Sequence, residues 1–322
     1  GDLGGPRFDV SVPPGGYAWW YLDGVSDDGK RALTVILFVG SVFSPFYAWS
    51  GRGDPENHCA INLCLYGQGA GALGGRWSMT ERRRDRVERE AAAYRIGPST
   101  VSWDGTALTV EANETATPQL TPLRGRIRVI PEAVTEVEAV LDAAGRQIWR
   151  PFAPRARIEV GFDRPAWRWS GEGYLDANFG AAMLEEDFSY WTWSRAPTRD
   201  GAVSFYDADR RDGSRLELAL RFGRDGSSET VAPPPKARLA RGLWGVRRQT
   251  RADAGSTPRT AMRLENAPFY TRSALAARIY GEDVLGMHEA LDLNRFASPV
   301  VKSLLPFRMP RPPYWPPGWL RT

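Results

Sequence analysis

Apolar side chains along this chain recur at every second position far more often than at every third or fourth. Residues 33–39, 60–66, 99–103, 108–112, 125–130, 156–160, 203–206 and 216–222 are rich in β-branched and aromatic types, and each run predicts a strand. Asp-Gly pairs at 28–29, 104–105, 212–213 and 225–226 punctuate these runs at intervals that suit hairpins, not βαβ units. Helical patterning is confined to residues 85–94 and the stretch after Asn294. The chain therefore reads as mostly β with short helices. Two prolines interrupt the pattern in Trp149-Arg-Pro-Phe-Ala-Pro154 before a fresh alternating run begins. They predict a seam between a β domain of residues 1–150 and a second of residues 151–305. Residues 306–322 hold six prolines, which predicts an extended tail.

Composition narrows the chemistry. The 322 residues carry 42 Lys+Arg against 38 Asp+Glu, a net charge of +4, with 13 Trp but only 2 His. Two histidines cannot build a His-rich zinc or iron site, so no metal is expected. Cys59 and Cys64 stand five apart in a predicted strand and so point to opposite faces, which predicts free thiols in a reducing compartment. The apolar run 32–39 is far short of the ~18–20 residues that cross a bilayer, and no signal-peptide pattern opens the sequence. In residues 81–90 four acids interleave with five arginines, a solvated face and no nucleic-acid site. Gly69-Ala-Gly-Ala-Leu-Gly74 matches GxGxxG, but no helical face follows it, so it reads as a loop and not as a nucleotide site.

Two constellations remain. Asp54-Pro-Glu-Asn-His-Cys59 brings Glu56 and His58 to the start of a strand, either to tie turn to strand or to form a polar patch at a barrel mouth. His288 reads as structural. In an extended Tyr174-Leu-Asp-Ala-Asn178, the side chains of Tyr174, Asp176 and Asn178 share one face, close in sequence to Trp167, Trp169, Trp191 and Trp193. On a solvated strand such a face is ordinary. Buried among indoles, Asp176 would have its pKa raised, stay protonated and serve as a general acid. The aromatics at 19–21, 43, 46, 47 and 49 either fill a core or line a long apolar tunnel.

Gly16-Tyr-Ala-Trp-Trp-Tyr21, Phe38-Val-Gly-Ser-Val-Phe-Ser-Pro-Phe-Tyr-Ala-Trp49, Asp54-Pro-Glu-Asn-His-Cys-Ala60, Arg76-Trp-Ser-Met-Thr-Glu-Arg82, Tyr174-Leu-Asp-Ala-Asn178, Trp191-Thr-Trp-Ser-Arg-Ala196 and Leu305-Pro-Phe-Arg-Met-Pro310 occur in that order. Together they resemble the carotenoid 1,2-hydratases, or hydroxyneurosporene synthases, of purple bacteria, over nearly the whole chain. The resemblance implies two calycin or lipocalin-like β domains, barrel or sandwich, with no cofactor. It implies hydration of the terminal double bond of an acyclic carotene such as neurosporene or lycopene. Its Tyr-x-Asp-x-Asn motif gives Asp176 as the acid with Tyr174 beside it. Its His-x-Trp pair reads Gln147-Ile-Trp149 here, so Trp149 carries over while Gln147 replaces the proton-shuttling imidazole. Protonation at C2 leaves a tertiary cation at C1 that neutral water can capture, and Trp149, Trp191 and Trp193 would face that cation. Asn178, Trp191 and Trp193, with Glu56 and His58, are the substrate-binding candidates. An isomerase or cyclase of the same architecture, or a carotenoid-binding carrier, would share most of these features. A bilayer-dissolved substrate further predicts peripheral contact with the cytoplasmic face of a membrane, through Tyr314, Trp315 and Trp319 of the tail.

Overall fold

A computed structural model describes residues 5–71 and 75–311. Strands dominate it. The first set comprises β1 (Tyr17–Ser26), β2 (Arg31–Val39), β3 (Cys59–Gly67), β4 (Gly75–Arg82), β5 (Val87–Glu90), β6 (Ala93–Ile96), β7 (Ser99–Trp103), β8 (Leu108–Ala116), β9 (Thr121–Pro131), β10 (Ala139–Val140), β11 (Gln147–Arg164) and β12 (Trp167–Gly180). The second set comprises β13 (Phe188–Thr198), β14 (Gly201–Arg210), β15 (Arg215–Gly223), β16 (Ser228–Thr230), β17 (Lys236–Arg238), β18 (Gln249–Arg251), β19 (Arg259–Asn266), β20 (Tyr270–Ile279) and β21 (Glu282–Asp292). Short helices α1 (Pro45–Trp49), α2 (Leu184–Asp187), α3 (Leu293–Phe296) and α4 (Pro299–Leu304) cover the ends. All eight runs predicted as strands lie inside observed strands. The four Asp-Gly pairs sit in hairpin turns. At Gly105 the backbone takes φ +93°, a region open to glycine, while Asp104 Oδ1 accepts from the Thr106 and Ala107 amides at 2.8 and 2.7 Å.

The first sheet is antiparallel throughout, in the order β4-β3-β2-β1-β12-β11-β9-β8-β7-β6-β5, with β10 pairing on β11. It curls until β4 meets β8. The Thr117 amide donates to Trp77 O at 2.8 Å, and the buried Arg82–Glu114 ion pair at 2.7 Å joins the two strands. The enclosed core contains Ile61, Leu63, Tyr94, Ile127 and Phe162. The outer face of β1–β3 and β12 is buried too, because the second sheet packs on it. That sheet runs β16-β15-β14-β13-β21-β20-β19, and β17 pairs with β18 apart from it. Between the sheets lies another core, which includes Trp19, Tyr21, Trp149, Tyr174, Trp191 and Trp193. All ten residues of β1 are consequently buried, alternating between the two cores. Arg195 of β13 forms an ion pair with Asp23 of β1, neither more than 3% exposed, and this pair pins one sheet to the other.

Two expectations meet a different arrangement. The stretch 85–94 is not helical: one 3-10 turn at Arg84–Arg86 leads into β5 and β6, where Tyr94 and Ile96 turn inward and their neighbours face solvent. Its even mixture of Arg and Glu hides that alternation from any hydropathy pattern. The seam expected between residues 150 and 151 falls inside β11. Pro151 and Pro154 sit where the register of β11 on β12 shifts, between Arg150 and Ala153 and again between Ala153 and Ala156, so bulges accommodate both prolines. The chain crosses from the first sheet to the second at residues 181–187 instead. The tail residues Tyr314, Trp315 and Trp319, and Gly74 of the GxGxxG loop, lie outside the described residues. Cys59 and Cys64 do take opposite faces, one in each core, as free thiols whose pKa values burial pushes up to about 12.

Candidate active site

β12 alternates between the two cores: Leu175 and Ala177 belong to the barrel interior, while Tyr174, Asp176 and Asn178 face the second sheet. Asp176 is 4% exposed. Its Oδ2 accepts from Trp149 Nε1 on β11 and from the Tyr174 hydroxyl, each at 2.8 Å. Its Oδ1 makes no hydrogen bond to any described residue. Burial pushes the Asp176 carboxyl up to about 8, outweighing the two donated hydrogen bonds, and the charges of Glu289 and Asp23 push the same way. Near neutral pH the carboxyl then favours its protonated form, and with Oδ2 occupied by donors the proton belongs on Oδ1.

Asp176 lines a chamber of about 30 Å³ together with Asn178, Trp191, Trp193, Tyr206 and Glu289. Its ring contacts are close: Tyr174 to Trp193 at 5.2 Å, Tyr21 to Trp193 at 5.5 Å and Trp191 to Tyr206 at 5.7 Å between centroids. Trp19, Tyr21, Trp191 and Glu289 also wall a larger, mostly apolar cavity of about 310 Å³ between the sheets. That cavity passes Phe38, Met79 and Leu291 and ends at Trp244 and Leu304, which are 58% and 51% exposed. The geometry is an apolar passage that shares the walls Trp19, Tyr21, Trp191 and Glu289 with a small chamber holding a buried carboxylic acid and indole faces.

Of the sequence candidates, Asp176, Tyr174, Trp149, Asn178, Trp191 and Trp193 come together here. Trp149 touches neither cavity; it stands behind Asp176 and donates to it. Gln147 is turned elsewhere: its Oε1 accepts from Tyr17 at 2.5 Å, and its Nε2 donates to Ala182 O at 2.9 Å and Asp187 Oδ2 at 2.7 Å. Glu56 and His58 belong to another place. His58 Nδ1 lies 2.7 Å from Glu81 Oε1, which also accepts from Arg311 at 2.6 Å, and His58 lines a separate outer cavity with Trp49 and Phe307. Glu56 pairs with Arg89. His288 is structural, its Nε2 2.7 Å from Gln249 O and its pKa pushed down to about 3 by burial. Among the described residues no group of three or more His, Cys, Asp or Glu is placed to hold a metal ion.

Sequence reasoning missed Glu289 and its partner Arg272. The register sets Glu289 of β21 directly between Trp193 of β13 and Arg272 of β20. Arg272 Nε donates to Glu289 Oε1 at 2.7 Å, and its guanidinium lies 5.3 Å from the Tyr21 ring centroid. The available signal was the alternation Met287, Glu289, Leu291, a carboxylate on an otherwise apolar strand face.

Comparison with known proteins bears on this arrangement. The family model described as Carotenoid hydratase CrtC matches residues 35–317. The chain is 51% identical to the acyclic carotenoid 1,2-hydratase of Thiocapsa roseopersicina over 95% of this chain and 76% of that protein. It is 50% identical to the acyclic carotenoid 1,2-hydratase of Cereibacter sphaeroides over 87% of this chain and 99% of that one. Among solved structures, an AttH protein of Nitrosomonas europaea aligns with a TM-score of 0.61 at 13% identity, covering 89% of this chain and 96% of its own. Kievitone hydratase of Nectria haematococca aligns with a TM-score of 0.55 at 10% identity, covering 89% and 93%. These two share the lipocalin-like fold alone. From the matched segment and the close relatives, this chain belongs to the carotenoid hydratase family and is a hydro-lyase.

Proposed function

We propose that this protein is an acyclic carotenoid 1,2-hydratase that adds water to the terminal double bond of neurosporene or lycopene without a cofactor. The observation that carries the reading is the buried Asp176, its titration raised by burial, in a chamber that shares the walls Trp19, Tyr21, Trp191 and Glu289 with an apolar passage. Alkene protonation is the difficult step, since it makes a cation from a hydrocarbon, and it calls for a desolvated acid and negative potential around the nascent charge. Asp176 delivers its proton to C2. The tertiary cation at C1 is held among the faces of Trp19, Trp191 and Trp193, each contact contributing about 0.5–2 kcal/mol. Tyr174 and Trp149 stabilise the carboxylate that remains, because the hydrogen bonds they donate strengthen as Asp176 becomes charged. Water then captures C1 and the product is a tertiary alcohol.

A cavity of about 310 Å³ is at the small end of ligand pockets, so a long polyene enters end first and leaves most of its length outside. The mouth suits a lipid surface: Leu243 and Trp244 on the loop before β18, with Val300 and Leu304 on α4, are all more than half exposed. Peripheral docking there on the cytoplasmic face of a membrane lets the substrate pass from bilayer to acid without crossing water.

The test is incubation with lycopene or neurosporene in ¹⁸O-labelled water, without added metal or nucleotide. The expected product is a tertiary alcohol carrying the label. Isomerised polyene without label would identify an isomerase, and substrate recovered unchanged would identify a carrier; either result sinks the proposal.

A further inference from the structure

Asp176 serves the alkene, and the attacking water needs a partner of its own. The chamber beside Asp176, about 30 Å³, has room for one or two waters, given that ~10–15 Å³ suffices for one, and a buried water wants two to four polar partners. Its walls offer them. Asp176 Oδ1 and Trp193 Nε1 are both buried and make no hydrogen bond to any described residue. Asn178, Tyr206 and Glu289 complete the polar lining. Glu289 differs from the others in two respects. It is the one carboxylate among the described residues that walls both the chamber and the apolar passage. It is also held in a partly buried ion pair with Arg272, itself 4% exposed, at the edge of an apolar cavity. Such a pair is costly to desolvate and is weak as a device for stability, so its placement here calls for a chemical reason.

We infer that this chamber is the binding site of the attacking water and that Glu289 is the base that takes its proton. The inference rests on the hydratase reading. The steps balance without any further reagent. The O–H bond of Asp176 breaks as the C2–H bond forms, and the alkene electron pair is spent on that bond. A lone pair of the chamber water forms the C1–O bond. One O–H bond of that water then breaks, its electrons staying on oxygen and its proton passing to the Glu289 carboxylate. When the alcohol withdraws, the next water carries the proton from Glu289 back to Asp176. The sum is alkene plus water giving alcohol. Arg272 keeps the Glu289 carboxylate in place, and the charge of Glu289 faces the cation while it exists.

The experiment is Glu289→Gln, assayed in D₂O with both the alcohol and the recovered polyene examined by mass spectrometry. A cation that is not captured loses a proton back to Asp176, so the recovered polyene gains deuterium. The expected result is hydration lowered on the order of 10²-fold or more, with deuterium exchange lowered far less, so that the ratio of exchange to hydration rises about tenfold or more. Because Arg272 is left unpaired in that variant, the double variant Glu289→Gln with Arg272→Met, which removes both charges, is assayed beside it and must raise the same ratio. Glu289→Asp retains a carboxylate and keeps the ratio low. A ratio unchanged from the parent in both Gln variants overturns the inference, whether or not overall activity falls. Absence of labelled alcohol from the parent protein would count against the hydratase reading itself, which separates the two failures.

Discussion

Replacing Asp176 by Asn should abolish hydration and yet stabilise the protein, increasingly so as the pH rises. The carboxyl is buried and titrates near 8, against an ordinary value of 3.8. The folded protein therefore holds a proton that the unfolded chain releases between about pH 4 and pH 8. Folding stability falls with rising pH across that window, because there the unfolded state binds fewer protons. At about 1.36 kcal/mol per unit the loss is roughly 4 kcal/mol by pH 7 and levels off near 6 kcal/mol above pH 8. The substituted amide cannot titrate, so the variant escapes this loss while every other ionisable group stays common to both proteins. Urea unfolding of the two proteins at pH 5, 6, 7 and 8 reads the difference directly. The gap should widen by about 3–4 kcal/mol from pH 5 to pH 8 in favour of the variant, with hydration down by on the order of 10²–10⁴-fold. Parallel stability curves, with a gap that changes by less than about 1 kcal/mol over that range, would refute a buried acid kept neutral by its surroundings.

Tyr174→Phe removes a hydrogen bond that favours the charged carboxylate, so Asp176 should titrate higher and be a weaker acid; the pH–rate profile should show a lower plateau and an alkaline limb displaced upward, and a limb displaced downward would contradict the assignment. Arg195→Met leaves Asp23 buried without its partner and should cost about 3–5 kcal/mol in urea unfolding, a loss that a value below about 1 kcal/mol would rule out. Leu243→Glu combined with Val300→Glu, beside the mouth but outside the passage lining, should weaken binding to liposomes while leaving hydration of detergent-dispersed substrate near the parent rate; equal liposome binding would remove the mouth as the docking surface.

Strands with one wet face, such as β7 and β8, were legible by alternation, and β2, β3 and β14, covered on both faces, were legible by their β-branched and aromatic runs. β1 and β13 escaped: both of their faces are covered, and Trp, Tyr, Gly and Ala fill them in place of a β-branched run, as in Tyr17-Ala-Trp-Trp-Tyr-Leu22. The Asp176 face was legible as three polar residues at alternate positions, and the raised titration of a buried acid followed from elementary electrostatics. Trp191 and Trp193 of the other sheet were read too; what could not be read was the carboxylate that joins them. Glu289 lies 113 positions along the chain from Asp176, and only the pairing of β13 with β21 brings it there. Gln147 shows the converse: its place in the motif suggested proximity to the acid, but Tyr17 and Asp187 engage its amide.

Asp176, Asn178 and Tyr206 in the chamber are each 4% exposed or less, and the adjoining passage reaches the surface at Trp244 and Leu304. A polyene with two equivalent ends can therefore present the second end only by backing out completely and turning round in the lipid. On the proposed route, turnover on such a substrate should be distributive: the singly hydroxylated compound is released, mixes with unreacted substrate and must compete with it for the mouth. Early time points should hold the mono-alcohol almost alone, and the diol should rise only as the starting polyene is depleted.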